Sequence, residues 1–234
     1  LVAVGPAQPR LDYQLVGGPS VATISAMKGR NFGWSNPHGV EAEMLGIILH
    51  GHGMQQSSIT TELAGSSTVR EAALLTGRIQ ATFLSTSEWD SLDQTHKGYH
   101  DLANMAVVAP KIADSFLATS TNFLKKNSSL VVAVDEAWLE AARVFRTNEK
   151  KWVAGALNYT AGTATRADAV SQYKAFKLDG AFPDSKDAFS TAAGRYNEAT
   201  AKEVGALTLS PPLSHWFTTK FWNTAFRAVQ AHKK

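Results

Sequence analysis

Residues 60–89 constrain the fold more than any other stretch, because they read as strand, helix, strand and the start of a second helix. A short β-branched run ends before Gly65, and apolar residues alternate with polar ones over residues 79–83, as in a strand with one buried face. In such a β-α-β unit the helix crosses one face of the sheet and the two strands run parallel. The sequence therefore predicts an α/β fold.

The ends of the helices in this unit can be predicted from the sequence. Thr68 and Glu71 have the spacing of a capping box, in which a hydroxyl and a carboxylate satisfy free backbone N–H groups. Gly77 supplies the left-handed residue that ends a helix, and Ser87 with Asp90 is expected to begin the next one. Hydroxyls thus follow the strands at their carboxyl ends, where open α/β sheets place their ligands.

The rest of the chain divides by pattern into two parts. Between residues 29 and 110 strands and helices alternate, which predicts a largely parallel sheet with right-handed crossovers. A strand region is expected at 102–112 and an extended crossing at 116–123. From residue 128 onward the apolar residues recur at helical spacing, and further helices are predicted at 165–177, 185–207 and 213–231.

The composition is that of an ordinary soluble globular protein, with 234 residues of which 44% are hydrophobic and 18% charged. No apolar run approaches the roughly 20 residues that span a bilayer, and no signal peptide is visible. Lysine and arginine are scattered and the net charge is +3, so no nucleic-acid partner is expected. The absence of cysteine excludes disulfides, thiolate nucleophiles and cysteine-ligated zinc from this sequence.

Four histidines have spacings that raise the question of a metal site. His50 and His52 are two residues apart, and His96 and His100 are four apart, a spacing at which imidazoles share zinc on a helix. Gly98 interrupts the second pair, and no nearby carboxylate is clearly placed to complete a site. The sequence therefore predicts no metal, and it indicates no other cofactor.

Four segments occur in an order that resembles a known family. They are MKGRNFGWS at residues 27–35, GSSTVREAALLTGRIQATFLS at 65–85, GYHDLANMA at 98–106 and DEAWLEAARVF at 135–145. Together they resemble the solute-binding proteins of ABC transporters in the nitrate, sulfonate, taurine and pyrimidine-precursor group, the NMT1/THI5-like proteins. The second segment is the counterpart of the family's AL-x-x-G-x-(V/I)-D-A signature, with Gln80 where the family usually has Asp.

The resemblance implies a fold of the type II periplasmic-binding-protein class, with two lobes and mixed sheets. Residues 25–113 are then expected to form the second lobe. Residues 1–24 would be a remnant of the first lobe with the first crossing, and 114–234 the return crossing with a helix-rich part of the first lobe. On this assignment the first lobe lacks its N-terminal part.

The resemblance also implies where a ligand binds, because ligands of this family lie near loops at helix N-termini, where backbone N–H groups are free. Carried over by position, the candidates fall on three loops. They are Ser35, Asn36, His38 and Gly39 on the first, Gly65, Ser66, Ser67 and Thr68 on the second, and Ser85, Thr86 and Trp89 on the third.

The function that this resemblance implies is non-enzymatic. The protein would capture a small organic anion, such as a sulfonate or carboxylate, between two lobes and close around it by a hinge near residues 16–25 and 113–121. It would deliver the solute to the membrane permease of an ABC transporter, act as a monomer, and work in the periplasm or another extracytoplasmic space.

Two alternatives use the same fold. An enzyme of the pyrimidine- or thiamine-precursor branch uses a cysteine-rich motif, which this sequence lacks, and no G-x-S-x-G nucleophile elbow is present. The ligand-sensing effector domain of a transcription regulator would carry a helix-turn-helix upstream, and the given residues show none.

Overall fold

The computed structural model describes residues 1–161, 164–209 and 211–231. The chain divides into two compact units, which are described separately. Unit 1 comprises Leu1–Leu11, Lys111–Ala199 and Leu209–Lys234, and unit 2 comprises Asp12–Pro110 and Thr200–Thr208. The lobe boundaries expected from the sequence at residues 24–25 and 113–114 remain predictions.

Strands and helices alternate in the first half of the chain, and helices dominate the second. The strands are β1 (Val2–Gln8), β2 (Tyr13–Gly17), β3 (Asn31–Trp34), β4 (Thr60–Leu63), β5 (Ala81–Ser85), β6 (His100–Asn104) and β7 (Ser115–Thr119). The α-helices are α1 (Val40–Gly51), α2 (Ser67–Leu75), α3 (Thr86–Thr95), α4 (Met105–Val108), α5 (Thr121–Lys126), α6 (Ser128–Thr147), α7 (Glu149–Tyr159), α8 (Arg166–Asp179), α9 (Thr191–Glu203) and α10 (Lys220–Ala231).

Unit 2 is built on a five-stranded mixed sheet with the strand order β4-β3-β5-β2-β6. β3 is parallel to β4 and β5, whereas β2 is antiparallel to both β5 and β6. The largely parallel sheet predicted from the alternating pattern is therefore wrong for the β2–β6 half. The reason is that β2 comes from residues ahead of the alternating pattern and inserts between two strands of it, a long-range pairing that local sequence does not encode.

Several predicted element ends are corrected by the structure. α2 begins at Ser67 and Ser66 is its N-cap, so Thr68 is already helical and forms no capping box with Glu71. A capping box occurs instead at Ser85 and Glu88, not at Ser87 and Asp90. The reason in both cases is that the helix starts directly at the strand end, ahead of the hydroxyl that the spacing favoured. The left-handed residue predicted at Gly77 is confirmed, with φ of 74°.

In the second half of the chain, the element ends also shift. The strand expected at 102–112 is β6 followed by α4, and the crossing at 116–123 is β7 followed by α5. The helix expected at 185–207 divides into a 3₁₀ turn, Lys186–Ala188, and α9. The last predicted helix, 213–231, begins as a 3₁₀ turn and becomes α10 only at Lys220.

A buried arginine ties together the elements that follow the parallel strands of unit 2. Arg70 of α2 is only 4% exposed. Its Nη2 lies 2.7 Å from Oε1 of Glu41 on α1 and donates to the carbonyl of Phe83 on β5. Its Nε donates to Oγ1 of Thr82, and its Nη1 donates to the carbonyl of Gly65. A single side chain therefore fixes α1, α2 and β5 with respect to one another.

Unit 1 has a two-stranded antiparallel sheet, β1 with β7, covered by helices. Its main hydrophobic cluster joins β1, α6 and α10 with the segments that precede α9 and α10. The buried members are Ala3, Leu139, Phe189, Phe217, Trp222 and Val229. Among the residues described, no helix combines the length and apolar character needed to cross a bilayer.

A carboxyl group lies within the apolar packing of unit 1. Asp135 is on the buried face of α6, fully inaccessible, and neither of its oxygens has a hydrogen-bond partner among the described residues. Gly5 of β1 lies against it, since a Cβ at that position would come within 2.5 Å of Oδ1. Burial raises the pKa of Asp135 from 3.8 to about 7.

We expect Asp135→Asn to remove a pH dependence of stability. Between about pH 4 and pH 7 the unfolded chain ionises this carboxyl while the folded chain keeps its proton, so wild-type stability falls as the pH rises. The variant should match wild type near pH 4 and exceed its free energy of unfolding at pH 8 by on the order of 3 kcal/mol. Urea unfolding at both pH values measures this. Glu140→Gln, on the exposed side of α6, is the control and should leave the difference unchanged. A variant no more stable than wild type at pH 8 would contradict this account.

We expect Arg70→Met to destabilise the protein by roughly 3–5 kcal/mol, because it leaves the buried carboxylate of Glu41 without its partner. Combining it with Glu41→Gln should recover part of the loss. The matched control is Arg78→Met, which breaks an ion pair with Glu62 whose side chains are 54% and 31% exposed and should cost less than about 1 kcal/mol. Thermal unfolding of the four variants tests this, and equal losses for Arg70→Met and Arg78→Met would refute it.

Candidate functional site

Three loops of unit 2 meet at one edge of its sheet. β4, β3 and β5 are neighbouring parallel strands, and each leads at its carboxyl end into a helix: β3 into α1, β4 into α2 and β5 into α3. A cavity of about 340 Å³ lies where these loops meet. It is lined by Tyr13, Ser35, Glu41, Ser66, Ser67, Arg70, Ser85 and Glu88.

Four of the eleven residues predicted from the sequence line this cavity, and at least one comes from each loop. They are Ser35, Ser66, Ser67 and Ser85. The hydroxyls are brought together because adjacent parallel strands end at the same edge of the sheet. The other seven candidates are not among the lining residues, and each has a local structural position.

On the first loop, Asn36, His38 and Gly39 form the turn into α1. The Oδ1 of Asn36 accepts a hydrogen bond from the backbone N–H of His38 at 2.9 Å, and the carbonyl of Asn36 accepts from the N–H of Gly39. Gly39 is the N-cap residue of α1. Asn36 and His38 are exposed to solvent.

On the other two loops, four candidates have structural roles or positions away from the cavity. Gly65 has φ of 89°, which favours glycine, and its carbonyl accepts from Arg70. Thr68 is exposed on the second turn position of α2, and Thr86 is buried at the start of α3. Trp89 packs against the hydrophobic cluster beneath the sheet.

Two of the three helix starts are already occupied by carboxylates of the protein. Oε2 of Glu41 accepts from both the backbone N–H and the hydroxyl of Ser35, at 2.5 and 2.8 Å. Oε2 of Glu88 accepts in the same way from the N–H and the hydroxyl of Ser85, both at 2.8 Å. The donors of Ser35 and Ser85 are therefore committed within the protein.

The start of α2 is open in comparison. Its N-cap, Ser66, makes no side-chain capping hydrogen bond, and no acidic residue lies in the first turn. The first N–H groups of a helix have no acceptor within the helix and carry partial positive charge. Ser66 and Ser67 line the cavity beside these groups, and this end of α2 is the part of the cavity best suited to accept a ligand oxygen.

Arg70 adds one further donor to the cavity. Its contacts with Thr82, Gly65, Phe83 and Glu41 use one Nε, one Nη1 and two Nη2 hydrogens, which is four of the five N–H groups of a guanidinium. The remaining hydrogen is on Nη1. Because Arg70 and Glu41 neutralise each other, the positive character of the cavity comes mainly from the backbone at the start of α2.

The acidic groups near the cavity limit how strongly it attracts anions. Glu88 lines the cavity and has no ion pair with any described cation. Its charge also contributes, after burial, to raising the pKa of Glu71 on α2 above its ordinary value. A ligand anion must therefore bind at the α2 side, away from Glu88.

Sequence reasoning missed four lining residues: Tyr13, Glu41, Arg70 and Glu88. Tyr13 is brought in by the pairing of β2 with β5, which sets it opposite Ser85. Arg70 shares the buried side of α2 with Ala73 and Leu74, at spacings of three and four, whereas Val69, which the helical pattern favoured, is 48% exposed. That i, i+3, i+4 spacing was the signal available in the sequence.

The four histidines do not form a metal centre among the residues that the structure describes. His50 lies 3.5 Å from Glu203, and Nδ1 of His96 contacts Oγ1 of Thr95 at 2.9 Å. Across the described ranges, no group of three or more His, Asp or Glu side chains is placed to hold a metal ion.

Comparison with solved structures confirms the predicted fold class. A ligand-binding component of an ABC-type import system from Staphylococcus aureus, solved with zinc bound, has a TM-score of 0.75 at 12% identity, covering 96% of this chain and 74% of that one. The periplasmic aliphatic sulphonate-binding protein SsuA from Escherichia coli has a TM-score of 0.67 at 17% identity, covering 86% of this chain and 63% of that one. The desulfurization enzyme DszB has a TM-score of 0.64 at 12% identity, covering 97% and 79%.

These identities show the fold, which is α/β and of the type II periplasmic-binding-protein class, and the chain spans only part of each of these proteins. No curated protein matches the sequence. The family model described as NMT1/THI5 like matches residues 14–150, more than half of the chain. The chain therefore belongs to the NMT1/THI5-like family.

Proposed function

We propose that this chain is the solute-binding component of an ABC transporter and that it binds a small organic anion at the open start of α2. The observation that carries the proposal is the contrast between the three helix starts. Those of α1 and α3 are closed by Glu41 and Glu88, whereas that of α2 presents Ser66 and Ser67 to the cavity without a carboxylate.

The chemistry of the α2 end favours a ligand with a sulfonate or carboxylate group. Such a group offers two or three oxygens that accept hydrogen bonds from the helix N–H groups and from the two serine hydroxyls. Hydrogen bonds to a charged oxygen are stronger than those to a neutral one. The similarity to a sulphonate-binding protein from Escherichia coli supports this class of ligand.

The cavity also supports binding over catalysis. The DszB comparison shows that an enzyme shares this fold, so the fold alone does not decide between the two. In this cavity the carboxylates that contact Ser35 and Ser85 also accept the backbone N–H of the same residues, which is the geometry of a helix cap and not of a base freeing a nucleophile. We therefore propose a non-enzymatic role.

The partners and location follow from the proposed role. A solute-binding component delivers its ligand to a membrane permease, and the proteins of this fold described above include a periplasmic one. We propose an extracytoplasmic monomer that binds neither nucleic acid nor metal. Capture between two lobes, which the family resemblance implies, remains a prediction.

We expect Ser66→Ala combined with Ser67→Ala to weaken the binding of ethanesulfonate or propionate by about tenfold or more. Loss of a hydrogen bond to a charged group costs about 1.5–3 kcal/mol, and each 1.4 kcal/mol is a tenfold change in affinity. Isothermal titration calorimetry of the ligand-stripped chain with both probes measures this.

The control for this experiment is Ser91→Ala, which removes an exposed hydroxyl on α3 outside the cavity. It should bind both probes as wild type does. Absence of binding by the wild-type chain to every sulfonate and carboxylate tried, or an unchanged affinity in the double variant, would overturn the proposed site.

A further inference from the structure

Unit 1 contains a second cavity, of about 540 Å³, with charges of its own. It is formed by the segments that flank the two-stranded sheet, the loop between α8 and α9, and the first turn of α9. Arg10 follows β1 and Lys111 precedes β7, and both line the cavity. Because β1 and β7 are antiparallel, with Gln8 opposite Ser115, both cations extend from the same end of the sheet.

Neither cation is neutralised within the part of the chain that the structure describes. Arg10 and Lys111 form no ion pair with any described carboxylate. The contact that Lys111 makes is with an aromatic ring, its Nζ lying 5.7 Å from the ring centre of Tyr196. A cation over a ring keeps its full charge for a ligand.

Two acids also line the cavity, and one of them is already paired. Asp184 accepts a hydrogen bond from Nη1 of Arg146, which offsets its charge. Asp187 has no described ion-pair partner. The cavity therefore has two cations without a paired acid against one such acid, a net positive balance that favours an anion.

The backbone on which Lys111 is carried is held in place by α9. The Nδ2 of Asn197 donates to the carbonyl of Lys111 at 3.2 Å, and its Oδ1 accepts from the N–H of Ala113 at 2.9 Å. This pair of bonds fixes the segment between them before any ligand arrives. A preformed position lowers the entropy lost on binding.

The remaining walls are mainly apolar. The buried ring of Phe182 lines the cavity opposite alanine side chains of α9, and the ring of Tyr196 lies beside Lys111. A volume of this size suits a small molecule, and pockets of this kind orient an apolar body by a few polar groups.

We propose that this cavity of unit 1 binds a small organic anion with an aromatic body, its charged group facing Arg10 and Lys111. The ring of such a ligand contacts Phe182 and the alanines of α9. This site lies within unit 1 and does not rest on the function proposed for the α2 cavity of unit 2.

The test uses benzenesulfonate as the probe and benzenesulfonamide as its neutral counterpart. Calorimetric titration and amide NMR shifts are recorded for wild type and for the double variant Arg10→Gln with Lys111→Gln. The matched control is Lys125→Gln with Lys126→Gln, which removes the same charge from exposed positions on α5. Thermal unfolding verifies that each variant is folded, and the single Lys111→Gln variant serves if the double one is not.

We expect benzenesulfonate to shift the amides of Ala192 and Ala193, which line the cavity, and to bind at least tenfold more tightly to wild type than to the Arg10 and Lys111 variant. The lysine control should bind as wild type, and the sulfonamide should bind at least tenfold more weakly than the sulfonate. No binding, equal binding by the double variant, or amide shifts confined to Ser66 and Ser67 would overturn the inference. The last result would leave the α2 cavity of unit 2 as the ligand site.

Discussion

The ion pair between Arg70 and Glu41 is the interaction on which the arrangement of unit 2 depends. Both side chains are at most 5% exposed, and a buried charge without a partner costs several kcal/mol. Arg70 therefore holds α1 against α2 and β5, while the other oxygen of Glu41 holds Ser35 at the end of β3. The positions of all three loops around the cavity follow from this one charged contact and from the parallel strands beneath it.

The difference between the three helix starts comes from the spacing of acidic residues. Ser85 has Glu88 three residues later, which closes the start of α3, and Ser35 is reached by Glu41 across a longer loop. After Ser66, the third position is Val69, which offers no carboxylate to the free N–H groups. A ligand anion at α2 would supply the acceptor that the sequence supplies elsewhere, so the loops that look equivalent in the sequence are not equivalent in chemistry.

How much of this could be predicted from the sequence depends on how local each feature is. The α/β class, the three hydroxyl-bearing loops and the left-handed exit at Gly77 are local patterns, and they were predicted. The insertion of β2 between β5 and β6 was not, because a strand's partners are set by packing over long sequence distances. Arg70 was missed because an arginine in a helix is expected on the solvated side, and only tertiary contacts with Glu41 and Thr82 explain its burial.

The two cavities obtain their positive character from different sources, and this follows from the architecture of each unit. In unit 2 three parallel strands lead into helices, so backbone N–H groups converge and the arginine present is already neutralised by Glu41. Unit 1 has only the antiparallel pair β1 and β7, which brings two flanking segments to one end and with them the side chains of Arg10 and Lys111. Exposed side-chain charges are screened by salt over about 10 Å, whereas hydrogen bonds from helix N–H groups act at contact distance. Affinity in unit 1 should therefore depend on ionic strength more steeply than affinity in unit 2.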